Sequence, residues 1–239
     1  MGLTILKNRE EMESASRILH ARGLGPSRFP DGYVRGVAYM IRTQSRLPPP
    51  EWRKAWDLER TISLIESAVP KDATVLDLGA FNSGVIPALA RLGYTNIVGI
   101  DLDPRVRYGP RRDVVRYVVA DFHETGLNDA SCDVVTAMST IEHGWQGDRL
   151  FSEVSRLLKP GGLFIASTDY WPIKIDTRGV MAFGLPWIIF SEEEMRGLIS
   201  TAATHRLLPS GVLDFSAMEP VISWTGRTYT FAHLVLKRV

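Results

Sequence analysis

The chain has 239 residues, a formal net charge of +1 and 45% hydrophobic residues. These values are typical of a globular protein with one large domain and give no support for a surface that binds polyanions. No stretch reaches the ~18 apolar residues of a membrane span, and the N-terminus lacks an apolar signal segment. The single cysteine, Cys132, excludes an internal disulfide, so we expect a cytoplasmic protein.

The first fifty residues differ in pattern from the rest of the chain. Residues 7–22 are typical of an amphipathic helix, whereas residues 23–50 are rich in glycine and proline. A second helix is expected over 51–68. Pro50 can stand at its start, because a proline in the first turn costs no helical hydrogen bond. We therefore expect a helical N-terminal cap segment, residues 1–50, and a main domain, residues 51–239.

From Ala73 onward, short apolar runs alternate with helical segments. The five expected strands are Thr74–Leu78, Asn96–Ile100, Val114–Ala120, Asp133–Ala137 and Leu163–Ser167. The expected helices are Val85–Leu92, Gly147–Leu158 and one from a capping box at Ser191 to about Ala203. Continuous apolar runs predict strands covered on both faces, as in a parallel sheet. With two tail strands, Leu207–Phe215 and Tyr229–Leu236, the prediction is an α/β fold with a doubly wound, mostly parallel seven-stranded sheet.

A glycine loop follows the first of these strands, in the sequence Asp77-Leu78-Gly79-Ala80-Phe81-Asn82-Ser83-Gly84. Its glycines permit a tight turn and the close approach of a nucleoside ligand. The loop lacks the middle glycine of a dinucleotide site, and the carboxylate of Asp77 would repel a pyrophosphate. The loop therefore favours a cationic ligand.

Carboxylates also end the next two strands. Asp101, about 20 residues beyond the loop, stands where a carboxylate accepts hydrogen bonds from two ribose hydroxyls. Asp121, at the end of the third strand, can accept from an adenine amino group, with Phe122 as an apolar contact. Met138, at the end of the fourth strand, can lie on the adenine face.

In this order the signals resemble those of the class I S-adenosylmethionine-dependent methyltransferases, over about Ala73–Ser167. The resemblance implies methyl transfer from S-adenosyl-L-methionine, with the methionine part in the first loop, the ribose on Asp101 and the adenine near Asp121. The expected cofactor contacts are Asp77, Gly79, Ala80, Phe81, Gly84, Asp101, Leu102, Asp121, Phe122 and Met138. Two features depart from the family's pattern. The first loop is longer, and Pro104–Asp113 is too rich in Arg, Pro and Gly for the usual second helix.

The fourth strand continues into Glu142-His143, which would face the methyl group. Histidine titrates near neutrality and can take a proton from an attacking hydroxyl, so His143 is the candidate general base, with Glu142 beside it. The pair also resembles the glutamate–histidine pair of metal-binding O-methyltransferases, whose further glutamate is replaced here by Ser139. A divalent metal such as Mg²⁺ on Glu142, His143 and Asp169 is therefore an open alternative. So is a loop-ordering role for the pair.

A segment after the fifth strand, about 169–190, lacks clear elements and carries aromatic rings and carboxylates, which is typical of a functional lid. The expected acceptor contacts are Trp145, Asp169, Tyr170, Trp171, Trp187 and Tyr229, with Trp224 and the cap residues Arg28, Phe29, Tyr33 and Tyr39 as further candidates. Trp171 and Trp187 could equally be buried core residues. The lid and tail are similar to those of bacterial methyltransferases of carbohydrate and surface-glycan pathways, which implies a sugar hydroxyl as the acceptor.

Three alternatives to O-methylation stay open. They are N-methylation of an amino sugar or small amine, a nicotinamide-dependent oxidoreductase, and a module that binds the cofactor without catalysis. Asp77 and the missing glycine argue against the oxidoreductase. We expect a small-molecule or glycan acceptor and no nucleic acid, and the oligomeric state is left open, a homodimer included.

Overall fold

The computed structural model describes residues 2–24, 52–81 and 83–239, with Trp52 described by its backbone alone. The helices of this part of the chain are α1 (Arg9–Ala21), α2 (Ala55–Ala68), α3 (Val85–Arg91), α4 (Gly147–Leu157) and α5 (Glu192–Thr204). Its strands are β1 (Leu3–Ile5), β2 (Thr74–Leu78), β3 (Asn96–Asp101), β4 (Val115–Val119), β5 (Cys132–Met138), β6 (Leu158–Tyr170), β7 (Met181–Ala182), β8 (Leu185–Pro186), β9 (Leu207–Pro209), β10 (Ile222–Trp224) and β11 (Arg227–Arg238). Short 3₁₀ turns span Trp52–Lys54 and Pro104–Tyr108.

The main sheet has the strand order β1-β11-β6-β5-β2-β3-β4, with β9 and β10 also paired to β11. Strands β2 to β6 pair in parallel, whereas β11 runs antiparallel to β6 and to β1. This arrangement confirms the expected α/β fold with a mostly parallel sheet. The chain leaves β2 toward β3 on one side and later returns to β5 on the other. Such a reversal opens a crevice at the carboxyl ends of the strands, where open α/β sheets bind ligands.

The sheet is covered on both faces, which is why its strands read as continuous apolar runs. Val75 and Leu76 are neighbours on β2 and point to opposite faces, yet both are fully buried. Two large groups of buried side chains result, one on each side of the sheet. A charged side chain on a central strand is therefore placed at the strand tip or buried with a partner.

The described part of the predicted cap belongs to the body of the fold. Strand β1 pairs with β11, in a register that sets Leu3 opposite Leu234, and α1 packs against α2. The α1 N-terminus is capped by Asn8, whose side chain accepts from the Glu11 backbone N–H. The candidate contacts Arg28, Phe29, Tyr33 and Tyr39 lie outside the described residues.

Three elements differ from the sequence prediction. Strand β9 stops at Pro209 instead of reaching Phe215, because the chain bends at Ser210-Gly211. Strand β6 continues to Tyr170, since its pairing with β11 extends to Thr230. The lid segment contains the hairpin β7–β8, whose turn residues Phe183 and Gly184 both have left-handed backbone angles. No helix among the described residues combines the length and apolarity needed to cross a membrane.

Candidate active site

Three predicted carboxylates lie at the carboxyl ends of three neighbouring parallel strands. Asp77 is in β2, Asp101 ends β3, and Asp121 follows β4 by two residues. The charge of Asp101 raises the pKa of Asp77, and the Ala120 backbone N–H donates to the Asp101 carbonyl at 3.1 Å. The fold therefore brings all three residues to one edge of the sheet.

Asp77 is fully buried, and one of its carboxylate oxygens has no hydrogen-bond donor among the described residues. The Thr136 hydroxyl donates to Oδ1 at 2.6 Å, whereas Oδ2 has no donor within hydrogen-bond geometry in this part of the chain; the Ser83 hydroxyl lies close enough only to act on the pKa. Burial raises the pKa of Asp77 to about 6, against the lowering effect of the Ser83 and Thr136 hydroxyls. A buried oxygen without a donor is costly, so a cationic N–H group of a ligand would stabilise it.

The glycine loop has no room for a side chain at Gly79. Its φ is +74°, and a Cβ atom there would lie 2.3 Å from Thr140 Oγ1. The backbone N–H groups of Gly79 and Ala80 both donate to the Ile100 carbonyl at 2.9 Å, which fixes the loop against β3. Helix α2 covers the far end of the loop, since a Cβ at Gly84 would lie 3.0 Å from Leu58 Cδ2.

Asp101 ties this loop to the chain that follows β3. Its Oδ2 accepts from the Phe81 backbone N–H at 2.9 Å, and its Oδ1 accepts from that of Asp103 at 2.8 Å. Leu102, the next residue, is 51% exposed and offers an apolar surface at the crevice edge. The Phe81 ring packs under the guanidinium of Arg105, 4.6 Å from its centroid. The sequence predicted that the family's usual second helix would be missing after β3. The structure has a short 3₁₀ turn in that segment, Pro104–Tyr108.

The third and fourth strand ends carry the remaining predicted cofactor contacts. Asp121 accepts from the backbone N–H of His123 at 2.9 Å and lies 2.8 Å from its Nδ1. These contacts hold the pKa of Asp121 below its usual value although partial burial raises it. Phe122 is nearly buried and belongs to the core. Met138 is half-buried, and its sulfur accepts from the Thr61 hydroxyl at 3.3 Å.

Glu142 and His143 stand on the loop that follows β5. Glu142 is buried, and its Oε2 accepts from the Thr168 hydroxyl at 3.2 Å. Burial and the neighbouring Asp169 raise the pKa of Glu142 well above its ordinary value, while Lys54 lowers it. Burial and Lys54 lower the pKa of His143 to about 4, so its imidazole is neutral at pH 7. Its buried Nδ1 has no hydrogen-bond partner in the described part of the chain.

The lid segment packs on this loop through its backbone. The Ile188 N–H donates to the Glu142 carbonyl at 3.0 Å, and the Gly144 N–H donates to the Pro186 carbonyl at 2.8 Å. At the tip of the hairpin, the Phe183 ring meets the His143 ring edge-to-face, with 5.1 Å between centroids. The Phe183 residue is 85% exposed. The hairpin therefore lies directly beside the imidazole.

Asp169 is buried beneath an aromatic wall. The Trp187 indole N–H donates to its Oδ2 at 2.8 Å, and the Tyr229 hydroxyl lies close enough to lower the pKa of this carboxyl group. Burial raises the pKa of Asp169 to about 6, which Lys54 and these donors oppose. The Trp187 ring packs edge-to-face on Trp224 at 4.8 Å and near Tyr229 at 5.8 Å. The structure thus brings four predicted acceptor contacts together, but Trp187 and Tyr229 are 2% and 3% exposed and belong to the core of this face, as the alternative for Trp187 expected.

Trp145 and Tyr170 are placed elsewhere. Side chains alternate along a strand, so Tyr170 points to the face opposite Asp169, where its hydroxyl donates to the Phe215 carbonyl at 2.7 Å. The Trp145 ring packs edge-to-face on Phe190, 5.1 Å away. Both belong to the core of that opposite face, so we leave them out of the acceptor wall. Trp171 is half-buried on the same side as Trp187.

The sequence prediction missed a group of polar residues at the start of α2. The ammonium of Lys54 donates to Ser139 Oγ and lies 4.3 Å from the Phe231 ring centroid. Three residues later Asp57, 1% exposed, accepts from the Ser167 hydroxyl at 2.7 Å. The only sequence signal was a carboxylate within the apolar stripe of a predicted helix.

The described residues do not fit the metal alternative. No three His, Cys, Asp or Glu side chains in the described ranges are grouped so as to hold a metal ion. Asp169 already accepts from Trp187, and His143 Nε2 is 4.0 Å from Glu142 Oε1. The cation that acts on Glu142 and Asp169 is the ammonium of Lys54. We assign no step to a metal.

Residues 76–166 match the family model described as a methyltransferase domain. A dimethylglycine N-methyltransferase from Parasynechococcus marenigrum is 32% identical over 118 residues, covering 45% of this chain and 42% of the relative. A protein of Mycolicibacterium smegmatis described as a probable S-adenosylmethionine-dependent methyltransferase is 37% identical over 103 residues, covering 39% of this chain and 37% of the relative. The chain thus aligns with less than half the length of these curated relatives.

Solved structures share the fold over nearly the whole chain. A geranyl diphosphate C-methyltransferase from Streptomyces coelicolor, in complex with Mg²⁺, geranyl diphosphate and S-adenosyl-L-homocysteine, has a TM-score of 0.60 at 16% identity and covers 96% of this chain and 98% of its own. A structure described as a sarcosine dimethylglycine methyltransferase from Galdieria sulphuraria has a TM-score of 0.59, also at 16% identity, and covers 95% and 98%. At such identities the likeness concerns the fold alone.

The fold, the strand-end carboxylates and these matches point to one class of protein. The chain has the fold of S-adenosylmethionine-dependent methyltransferases, and residues 76–166, less than half of the chain, are similar to a methyltransferase domain. Within this class, the family match covers the segment that runs from β2 into β6.

Proposed function

We propose that this protein transfers a methyl group from S-adenosylmethionine to a small acceptor, in a crevice above the tips of β2 to β6. The observation that carries the proposal is the fully buried Oδ2 of Asp77, at the start of the glycine loop, which has no hydrogen-bond partner among the described residues. It fits the ammonium group of the cofactor's methionine part. The packing of Gly79 against Thr140 supports the proposal by fixing the position of the loop backbone beside Asp77.

The cofactor would lie along the three strand ends. Asp101 would accept from ribose hydroxyls beside the exposed Leu102, and Asp121 would accept from the adenine amino group. Phe81, Ala80, Gly84 and Met138 would line the same crevice, whereas Phe122 would contribute from the core behind it. Bound S-adenosylmethionine supplies an activated methyl group, so the protein's main task is alignment.

The acceptor would enter between His143 and the aromatic wall of Trp187, Trp224 and Tyr229. An acceptor oxygen attacks the methyl carbon, the bond from that carbon to sulfur breaks, and the acceptor's proton passes to a base. The neutral His143 is the proposed base, with Glu142 behind it; its Nδ1 has no hydrogen-bond partner among the described residues, and its pKa of about 4 makes it a weaker base than the near-neutral histidine expected from the sequence. Asp169 and Trp171 would line the acceptor side.

For the acceptor we propose a sugar or glycan hydroxyl, because aromatic rings beside buried carboxyl groups suit the faces and hydroxyls of a sugar. A second candidate is a small amine. It is favoured by the same rings and by Asp169, since aromatic faces and a carboxylate also suit an ammonium group. The similarity to a dimethylglycine N-methyltransferase supports this candidate.

The test is a transfer assay with labelled S-adenosylmethionine and a panel of monosaccharides and small amines, with and without EDTA. For a hydroxyl acceptor we expect His143→Ala to lower kcat by about a hundredfold or more, within the usual range for general base catalysis. His205→Ala is the control, because that histidine pairs with Asp148 at the surface. A loss of less than tenfold in His143→Ala would contradict its role as the base, and turnover of amines alone would favour the second candidate.

A further inference from the structure

The Lys54 ammonium stands near several buried carboxyl groups beside the strand tips. It lowers the pKa of three of them, so all three lie within its electrostatic field: Asp57, Glu142 and Asp169. Each of these residues is at most 4% exposed. The group joins the start of α2 to the loop after β5 and to the end of β6.

A ring of hydrogen bonds fixes the position of Lys54. Its Nζ donates to Ser139 Oγ, the Ser139 backbone N–H donates to Ser167 Oγ at 3.1 Å, and the Ser167 hydroxyl donates to Asp57 Oδ2 at 2.7 Å. Lys54 and Asp57 are three residues apart at the start of α2, so the backbone between them completes the ring. Ser139 has a left-handed backbone, with φ at +47°. The ammonium therefore has a defined place.

The balance of charge around Lys54 is uneven. Among the described residues, His143 is neutral, and the exposed Arg53 lies close enough for its charge to act on Tyr229, so Lys54 is the buried cation of this group. The Tyr229 hydroxyl keeps its proton, because burial and the nearby carboxyl groups raise its pKa. On the same face of α2, Thr61 contacts His233, which is also the strand partner of Ser167; burial and Arg60 lower its pKa to about 3, so it is neutral. Buried charges need partners, so this place suits one further positive charge.

The tips of β5 and β6 connect this place to the cofactor crevice. Thr140, next to Ser139, donates to the Leu78 carbonyl at 3.3 Å and fills the space beside Gly79. The sulfur of a cofactor whose methionine part lies on the glycine loop would therefore come close to the Lys54 group. This step rests on the proposed function.

We propose that Lys54 is a positioning residue that balances the buried carboxyl groups of Asp57, Glu142 and Asp169 and so sets how strongly the site prefers cationic S-adenosylmethionine over neutral S-adenosylhomocysteine. With Lys54 present, its charge offsets that of the carboxyl groups that are ionised, so the site favours the sulfonium only moderately. After methyl transfer the product lacks that positive charge, so its retention is weaker than that of the substrate.

The experiment compares the two ligands by calorimetry at pH 8, without acceptor, and uses the ratio of their dissociation constants. The ligands differ in the methyl group and its charge, so a purely structural defect weakens both and leaves the ratio unchanged. We expect Lys54→Met to raise the preference for S-adenosylmethionine at least about threefold, because a repelling unit charge is removed. We expect Asp169→Asn to lower the preference, and Lys54→Arg to restore the wild-type ratio.

Lys71→Met is the matched control. The Lys71 ammonium also lies 4.3 Å from a ring centroid, that of Tyr94, and it pairs with a single carboxylate, Glu66. Lys54→Gln is a second variant in case Lys54→Met fails to fold. If the Lys54 and Asp169 variants bind both ligands with the wild-type ratio of dissociation constants, the inference is overturned, whereas the proposed function is not. If the folded wild-type chain bound neither ligand, the proposed function would fall and the inference with it.

Discussion

The buried carboxylate of Asp77 acts in opposite directions on the stability of the ligand-free fold and on the binding of a cationic ligand. It is fully buried, has one oxygen that no described residue donates to, and lies within the field of Asp101. Such a group destabilises the ligand-free fold when it is ionised. A ligand that brings a cationic N–H group relieves this cost on binding.

Asp77→Asn separates the two effects. The raised pKa of about 6, against 3.8 for a free side chain, means that the folded state binds the proton more tightly than the unfolded state. This contribution to stability is fully present below pH 3.8 and is lost as the pH rises through 6. We expect the variant to be more stable than the wild type by up to about 3 kcal/mol at pH 7.5, with little difference near pH 4.

Urea unfolding at several pH values, together with calorimetry, measures both consequences. At pH 7.5 we expect Asp77→Asn to bind S-adenosylhomocysteine at least about tenfold more weakly, since a charge-assisted hydrogen bond is lost. A stability difference that does not change with pH would contradict the account of the buried charge. Unchanged ligand affinity would contradict its role in binding.

At the scale of single elements, the loop between β2 and α3 is shaped by what surrounds it. Gly79 is held between β3 and Thr140, and α2 covers Gly84. The lid hairpin β7–β8 is similarly fixed through backbone bonds to the loop after β5. The proposed ligand sites are therefore built by packing of neighbouring elements onto short loops.

Gly79→Ala and Gly93→Ala form a matched pair that tests this packing. Both glycines have left-handed backbones, with φ at +74° and +86°, so both variants carry about 1–2 kcal/mol of strain. A Cβ at Gly93 meets no atom within 4 Å, whereas one at Gly79 clashes with Thr140.

We expect Gly79→Ala to lower the affinity for S-adenosylhomocysteine at least about tenfold, because the loop must shift, and Gly93→Ala to leave it unchanged. Calorimetry gives the affinities, and thermal unfolding checks that both variants fold. Equal affinities in the two variants would contradict a role in ligand binding for the packing of Gly79 against Thr140.

The sequence predicted those features of the molecule that depend on local order along the chain. The strand ends at Asp77, Asp101 and Asp121 follow from apolar runs that end in carboxylates, and the fold brings them to one edge. Tyr170 was misplaced because alternation along β6 turns it away from Asp169. Lys54 and Asp57 were missed because their partners, Ser139 and Ser167, are 85 and 110 residues away. Contacts of that kind are set by tertiary packing.

At the scale of the whole molecule, the sheet order places every proposed ligand contact at the carboxyl ends of the parallel strands. The reversal between β2 and β5 opens the crevice, and β11 brings Tyr229 and Phe231 beside Asp169. The first turn of α2 joins the glycine loop to the proposed acceptor side. The binding of a cationic nucleoside in this crevice is the claim on which the proposals depend.

The most direct measurement is a calorimetric titration of the wild-type chain with S-adenosylhomocysteine and, separately, with NAD. We predict saturable binding of one S-adenosylhomocysteine per chain and no binding of NAD, because Asp77 repels a pyrophosphate. Tight binding of NAD by a folded chain that does not bind S-adenosylhomocysteine would contradict the account.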